Sequence, residues 1–115
     1  MSKEIIYQML PRLWGNIDKN NQPNGSIDEN GCGKFSSIDS ESLVYIKSLG
    51  ATCVWYTGIL RHATACGTHG CVPSSSDWVK GKAGSPYSIT DYYDVNPYLA
   101  DSPENRMDEF RALVQ

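Results

Sequence analysis

Two short apolar runs, Ile5-Ile6-Tyr7-Gln8-Met9-Leu10 and Cys53-Val54-Trp55-Tyr56-Thr57, lie on either side of one helical pattern, and that order constrains the fold more than any other feature. Both runs are β-prone and almost continuously apolar, which suits strands covered on both faces, as in a parallel sheet. Pro11 stops the first. Between them, Ser36-x-x-Asp39 reads as a capping signature, Leu43, Ile46 and Leu49 recur at helical spacing, and Gly50 supplies a left-handed stop. A helix of about ten residues is predicted there. Strand, helix and strand with joints this short predict a right-handed βαβ crossover.

The segments after each strand have a different character. Ile17 to Lys34 holds Asp18, Asn20, Asn21, Pro23, Asn24, Gly25, Asp28, Asn30, Gly31 and Gly33, which is turn chemistry with almost nothing to bury. It is expected to be a long, exposed βα loop, with Asp18, Asp28 and Glu29 on a solvated surface. From Gly58 to Ala100 no helix period appears, and a structureless run of that length points to a functional loop. Ser102 then reads as a cap and Pro103 as the first helical position, with Glu104 complementing the helix dipole. Met107, Phe110, Leu113 and Val114 form the apolar face of this second helix.

The chain has 115 residues, 40% of them hydrophobic, which is enough for one small domain with a core. A net charge of −3 and a pI near 5.2 offer no basic patch to nucleic acid. No apolar run is long enough to span a membrane, and the N-terminus has no apolar signal core. The compartment stays open.

Cys32, Cys53, Cys66 and Cys71 permit three pairings if two bridges form, at a density too low for a disulfide-dependent scaffold. Cys53, within an apolar strand run, is expected to be a buried, inert thiol. His62-x-x-x-Cys66-x-x-His69-x-Cys71 has the donor atoms for tetrahedral zinc but lacks a Cys-x-x-Cys knuckle. Free thiols, a Cys66–Cys71 disulfide and zinc remain open, with His62 and His69 read as surface loop residues.

Gly84-Ser85-Pro86-Tyr87-Ser88-Ile89-Thr90-Asp91-Tyr92-Tyr93-Asp94-Val95 gathers Tyr87, Tyr92 and Tyr93 within seven residues. Tyrosine faces are flat and apolar while their rims hydrogen-bond, which matches a pyranose ring. Ordinary surface-loop packing accounts for such a density equally well until the order of residues is considered. Tyr87-x-x-x-Asp91-Tyr92 resembles the Gly-Tyr-x-x-x-Asp-Tyr element of the α-amylase family of glycoside hydrolases. Tyr7-Gln8-Met9-Leu10-Pro11-Arg12 resembles the family's first strand, and Gly31-Cys32-Gly33-Lys34-Phe35-Ser36-Ser37-Ile38 the entry to its first helix. Leu49-Gly50-Ala51-Thr52-Cys53-Val54-Trp55 resembles its second strand and Glu109-Phe110-Arg111-Ala112-Leu113-Val114 its second helix. These pieces occur in the family's order and span residues 5 to 115.

The resemblance implies an α/β fold, the N-terminal βαβα portion of a (β/α)8 barrel with long βα loops, a complete barrel needing roughly 250 residues. It implies action on α-linked glucans (starch, glycogen or maltodextrins) with retention, for which two carboxyl groups stand ~5–5.5 Å apart. Those groups follow the fourth and fifth strands of the family, with a helping aspartate after the seventh. None of them, nor the Asp-x-x-x-Asn-His motif of the third strand, lies within residues 1–115, so no catalytic residue is assigned. The resemblance carries over two substrate-contact positions. Tyr87 matches the tyrosine that stacks under the sugar at the cleavage subsite, and Asp91 an aspartate that braces this loop. Trp55 and Tyr92 fall in matched motifs as packing residues.

Three departures from the family pattern bear on the site. Asn16 and Lys34 stand where calcium-binding members place aspartates, and a lysine cannot ligate a hard cation. No tightly bound calcium is therefore expected between Asn16 and Phe35, and no cofactor in this segment, with calcium left to the rest of a complete enzyme. Gly84 occupies the position of an aspartate that clamps the terminal sugar in exo-acting α-glucosidases, and Gly58 replaces the proline that usually follows the second strand. The expected partners are an α-glucan or oligosaccharide and either the remainder of the barrel or further copies of the chain. The isolated chain is expected to be inactive and to self-associate. The competing class is a stand-alone carbohydrate- or protein-binding module without catalysis.

Overall fold

In the computed structural model, which describes residues 2–65, 73–75, 77, 79 and 81–115, strands β1 (Ile6–Met9) and β2 (Cys53–Tyr56) pair in parallel. Ile6 stands opposite Cys53 and Met9 opposite Tyr56. The ladder extends past both ends, with Thr52 N–H donating to Ile5 O (2.8 Å) and Thr57 N–H to Met9 O (2.9 Å). Between the strands, a short helix α1 (Ile27–Asn30) sits in the loop after β1, and α2 (Ser40–Ser48) makes the crossover. The helical spacing of the sequence thus forms the expected helix, but its cap lies further on. Asp39 Oδ1 accepts from Ser42 N–H at 2.8 Å, while Phe35–Ser37 forms a separate 3-10 turn. Gly50 follows at φ +89°, a conformation that L side chains rarely adopt.

Alternation along the two strands divides the small sheet into unlike faces. Tyr7, Met9, Val54 and Tyr56 face a core with Ile38 and Ile46, and Leu113 reaches the same cluster from the last helix. Ile6, Gln8, Cys53 and Trp55 are exposed, with Ile6 at 61% and Trp55 at 48%. The expectation that both faces are covered is therefore not met among the described residues. Cys53 is exposed rather than buried, because the period of two turns it to the face away from Val54, and its thiol donates to Glu4 Oε2 at 3.3 Å. On α2 only Ile46 is buried, while Leu43, Val44 and Tyr45 lie exposed, as does Leu49 just beyond its end.

The long segment after β2 contains two strands where no regular structure was expected. β3 (Leu60–His62) and β4 (Ile89–Val95) pair antiparallel, with register shifts on either side of Arg61. The chain then enters α3 (Arg106–Val114) through a 3-10 turn, Pro103–Asn105. Ser102 does not cap this helix through its side chain. Instead Glu109 reaches back, its carboxylate accepting from the backbone N–H of Asp101 (2.8 Å) and Ser102 (2.9 Å). Met107, Phe110 and Leu113 pack on Phe35, Val95, Leu99 and Ala100, with Val114 left exposed. Leu113 touches both clusters and so ties α3 to β1 and α2. No described helix is long and apolar enough to cross a membrane.

Candidate functional site

Chain direction puts both long excursions, the loop after β1 and the segment after β2, at the C-terminal ends of the parallel strands. One contact ties the strand ends, one closes the first excursion on itself, and one joins the two excursions. Gln8 Nε2 donates to Thr57 Oγ1 (2.9 Å), Gly33 N–H to Arg12 O (2.6 Å), and Lys34 Nζ to the carbonyl of Tyr98 (2.8 Å). Lys34 thus links the two excursions with its ammonium.

The loop after β1 is ordered by amides. Asn16 Nδ2 donates to Asn30 O (2.9 Å) and Asn20 Nδ2 to Glu29 O (2.7 Å), while Asn30 Oδ1 accepts from Gln22 N–H (2.7 Å) and its Nδ2 donates to Gln22 O (3.0 Å). Ser26 and Glu29 form a reciprocal capping box on α1, and the Ser26 backbone N–H, with its hydroxyl second, holds the Glu29 carboxyl below its usual range. Glu29 therefore has a structural role in a loop whose acids were expected to be merely solvated. The ammonium at position 34 has no lone pair to offer a calcium ion. Among the described residues no three His, Cys, Asp or Glu side chains converge.

Tyr87 sits in a turn closed by Ser88 N–H donating to Ser85 O at 3.1 Å. That turn is clamped to the end of β3, since Ser85 N–H donates to Ala63 O (3.1 Å) and Ala63 N–H to Ser88 O (2.8 Å). Its Pro86 packs over Gly58, two residues beyond β2. Gly58 has φ +80°, which a proline ring cannot reach, so this backbone excludes a proline there. The Tyr87 side chain projects with the residue 70% exposed, and Tyr92 and Tyr93 of β4 are 72% and 94% exposed. Neither Tyr92 nor Trp55 packs in the core as expected, because Trp55 lies on the uncovered face of β2 and Tyr92 on an exposed stretch of β4.

Asp91 stands opposite Arg61 in the β3–β4 ladder, with its Oδ1 accepting from Tyr93 N–H at 2.8 Å and its Oδ2 3.9 Å from the Arg61 guanidinium. The heavier brace, which the sequence reading missed, is Asp94. Arg106 binds it with two nitrogens (Nε 2.8 Å, Nη2 2.9 Å), Arg61 adds a third contact at 3.2 Å, and Val95 N–H donates to it at 2.8 Å. Nothing in the local spacing marks Asp94, since Arg61 and Arg106 are distant in sequence and meet it only after β4 pairs and α3 docks.

The Arg106 hydrogen bonds, and then Arg61 and the Val95 amide, hold the Asp94 carboxyl below its usual range. A folded-state value below the unfolded one contributes stability that is in full force above the ordinary carboxylate range, near 4, and is lost as pH falls through the depressed value. Asp94→Asn should therefore lower stability at pH 7 by about 2–3 kcal/mol, less than a fully buried pair because solvent reaches part of this one. It should also flatten the loss of stability between about pH 5 and 3. Chemical denaturation across that range checks both; parallel curves for the two proteins would remove Asp94 as the brace.

His62, expected on a loop surface, is buried in β3, with Nδ1 3.0 Å from Leu60 O and Nε2 3.3 Å from Ala83 O. Those contacts make it a tie between β3 and the Tyr87 turn. Cys66, His69 and Cys71 lie outside the described residues, and with them the zinc and disulfide alternatives. Cys32 is a half-buried free thiol whose pKa is raised by burial. Comparison with protein-family models, with curated proteins and with solved structures finds no match for this chain.

Proposed function

We propose that this chain forms the opening βαβα units of an α-amylase-type glycoside hydrolase acting with retention on α-linked glucans, with Tyr87 as a sugar-stacking wall and Asp91 bracing its strand. The observation that supports this best is the division of the β1–β2 pair into a face covered by α2 and α3 and an uncovered face bearing Ile6, Gln8, Cys53 and Trp55. Parallel strands are ordinarily buried on both sides, and in a (β/α)8 barrel the face turned away from the helices is filled by side chains of the other strands. Sites in such barrels are built at the C-terminal ends of the strands, which is where the Tyr87 turn is fastened.

A complete barrel would supply the nucleophile and the acid/base. Under this reading, residues 1–115 alone self-associate through the uncovered face and release no reducing ends from soluble starch, whereas the reading frame continues into Asp-x-x-x-Asn-His. The complete product would hydrolyse an α-linked maltooligosaccharide to the α-anomer, visible by proton NMR of the first turnover. Light scattering of residues 1–115, together with that assay, tests the proposal. A stable monomer that binds maltooligosaccharide, with no further strands encoded, would instead establish a binding module.

A further inference from the structure

Between the two excursions lies a cleft of about 500 Å³ that shares no lining residue with the Tyr87 face. Arg12, Lys82, Asn96 and Tyr98 are among its many polar lining residues, and Leu13 and Ile27 form part of its apolar wall. Its volume falls in the range of small-molecule sites, roughly 300–1,000 Å³. Asn96 is only 7% exposed. Its Oδ1 is committed, because it accepts from Tyr98 N–H at 3.1 Å and a backbone amide can only donate. The Nδ2 group is thereby fixed as the free end, and it makes no hydrogen bond among the described residues. The Nδ2 atom is not sealed from solvent, so its two donors stay open to an acceptor in the cleft.

The charges point the same way. Arg12 and Lys82 make no ion pair among the described residues. Glu29 lies within the field of Lys82, but its Oε2 is taken by the Ser26 backbone N–H at 2.7 Å. Arg12 acts on the Cys32 thiol, which is not an anion partner at neutral pH. The cleft thus offers an amide, a guanidinium and an ammonium as donors beside an aromatic ring.

We infer that this cleft binds a sugar-sized oxyanion, a monosaccharide carrying a phosphate or carboxylate group. Arg12 and Lys82 take the anionic oxygens, and Asn96 Nδ2 donates to a ring hydroxyl or ring oxygen. Charge-assisted bonds of this kind discriminate strongly against a neutral sugar. The inference stands apart from the glycoside hydrolase reading, since it uses neither Tyr87 nor Asp91.

Isothermal titration of the purified protein with glucose 1-phosphate, glucuronate, glucose and inorganic phosphate tests it. At least one of the two sugar anions is expected to bind about tenfold or more tightly than both glucose and inorganic phosphate, and which one wins identifies the anionic group. Arg12→Gln and Lys82→Gln, both exposed positions that leave the fold intact, should each weaken that binding by about fivefold or more, while Lys19→Gln should not. Equal binding of glucose and the sugar anions, inorganic phosphate binding as tightly as either, unchanged affinity in both variants, or no binding at about 20 mM would overturn the inference.

Discussion

Replacing Gly84 with alanine or aspartate is expected to destabilise the protein by about 2–6 kcal/mol. Two independent costs meet at this residue. Its φ is +77°, where a side chain adds strain of about 1–3 kcal/mol. A Cβ there would also fall 1.9 Å from the Ala63 carbonyl oxygen, and backbone on the facing strand cannot rotate away as a flexible side chain could. Relieving that overlap means pulling the turn off Ala63, which breaks the Ser85 N–H to Ala63 O bond and releases Tyr87 with it. Overpacking of this kind costs about 1–3 kcal/mol more. Thermal and denaturant melts of Gly84→Ala check the claim, and a change below about 0.5 kcal/mol would show that the turn shifts freely. The same geometry leaves no room for a carboxylate at position 84. The Tyr87 turn has been built too close to β3 to admit any side chain there.

The parts of the fold that could be read from the sequence are those in which local signals and packing agree. Ile46 at helical spacing, Gly50 as the stop, and two apolar runs joined by short links suffice for β1, α2 and β2, because each rule acts within a few residues. β3 and β4 escaped for a physical reason. Their ladder shifts register on both sides of Arg61, so the facing residues keep no clean period of two. β4 also places Tyr92 and Tyr93 in solvent, leaving an alternation too weak to recognise. Hydrophobicity alone misplaced Cys53, since a strand covered on one face still reads as apolar throughout when its other face carries Ile6 and Trp55. Long-range polar ties were the least legible. Asp94 acquires its two arginines, and Lys34 the Tyr98 carbonyl, only after elements far apart in sequence have docked.

Tyr87→Ala, made in the complete enzyme of the proposed function, is expected to lower turnover at least about tenfold while changing the Michaelis constant by less, and Tyr87→Phe to retain most activity. A flat ring beneath the reacting sugar touches the distorted, positively charged transition state more favourably than the relaxed ground state, so its loss falls mainly on turnover. The phenol oxygen contributes little to stacking, which is why phenylalanine serves. This structure makes the experiment clean. Tyr87 is 70% exposed, and the bonds that fix its turn are made by the backbones of Ser85, Ser88 and Ala63, so removing the side chain leaves the clamp intact. Stability should move by no more than about 0.5 kcal/mol, as at other exposed sites. A fall in activity with an unchanged melting temperature would then belong to the chemistry. Unaltered turnover in the alanine variant would leave Tyr87 as an exposed side chain without a part in the reaction. A rise confined to the Michaelis constant would mean that the ring holds substrate and transition state equally.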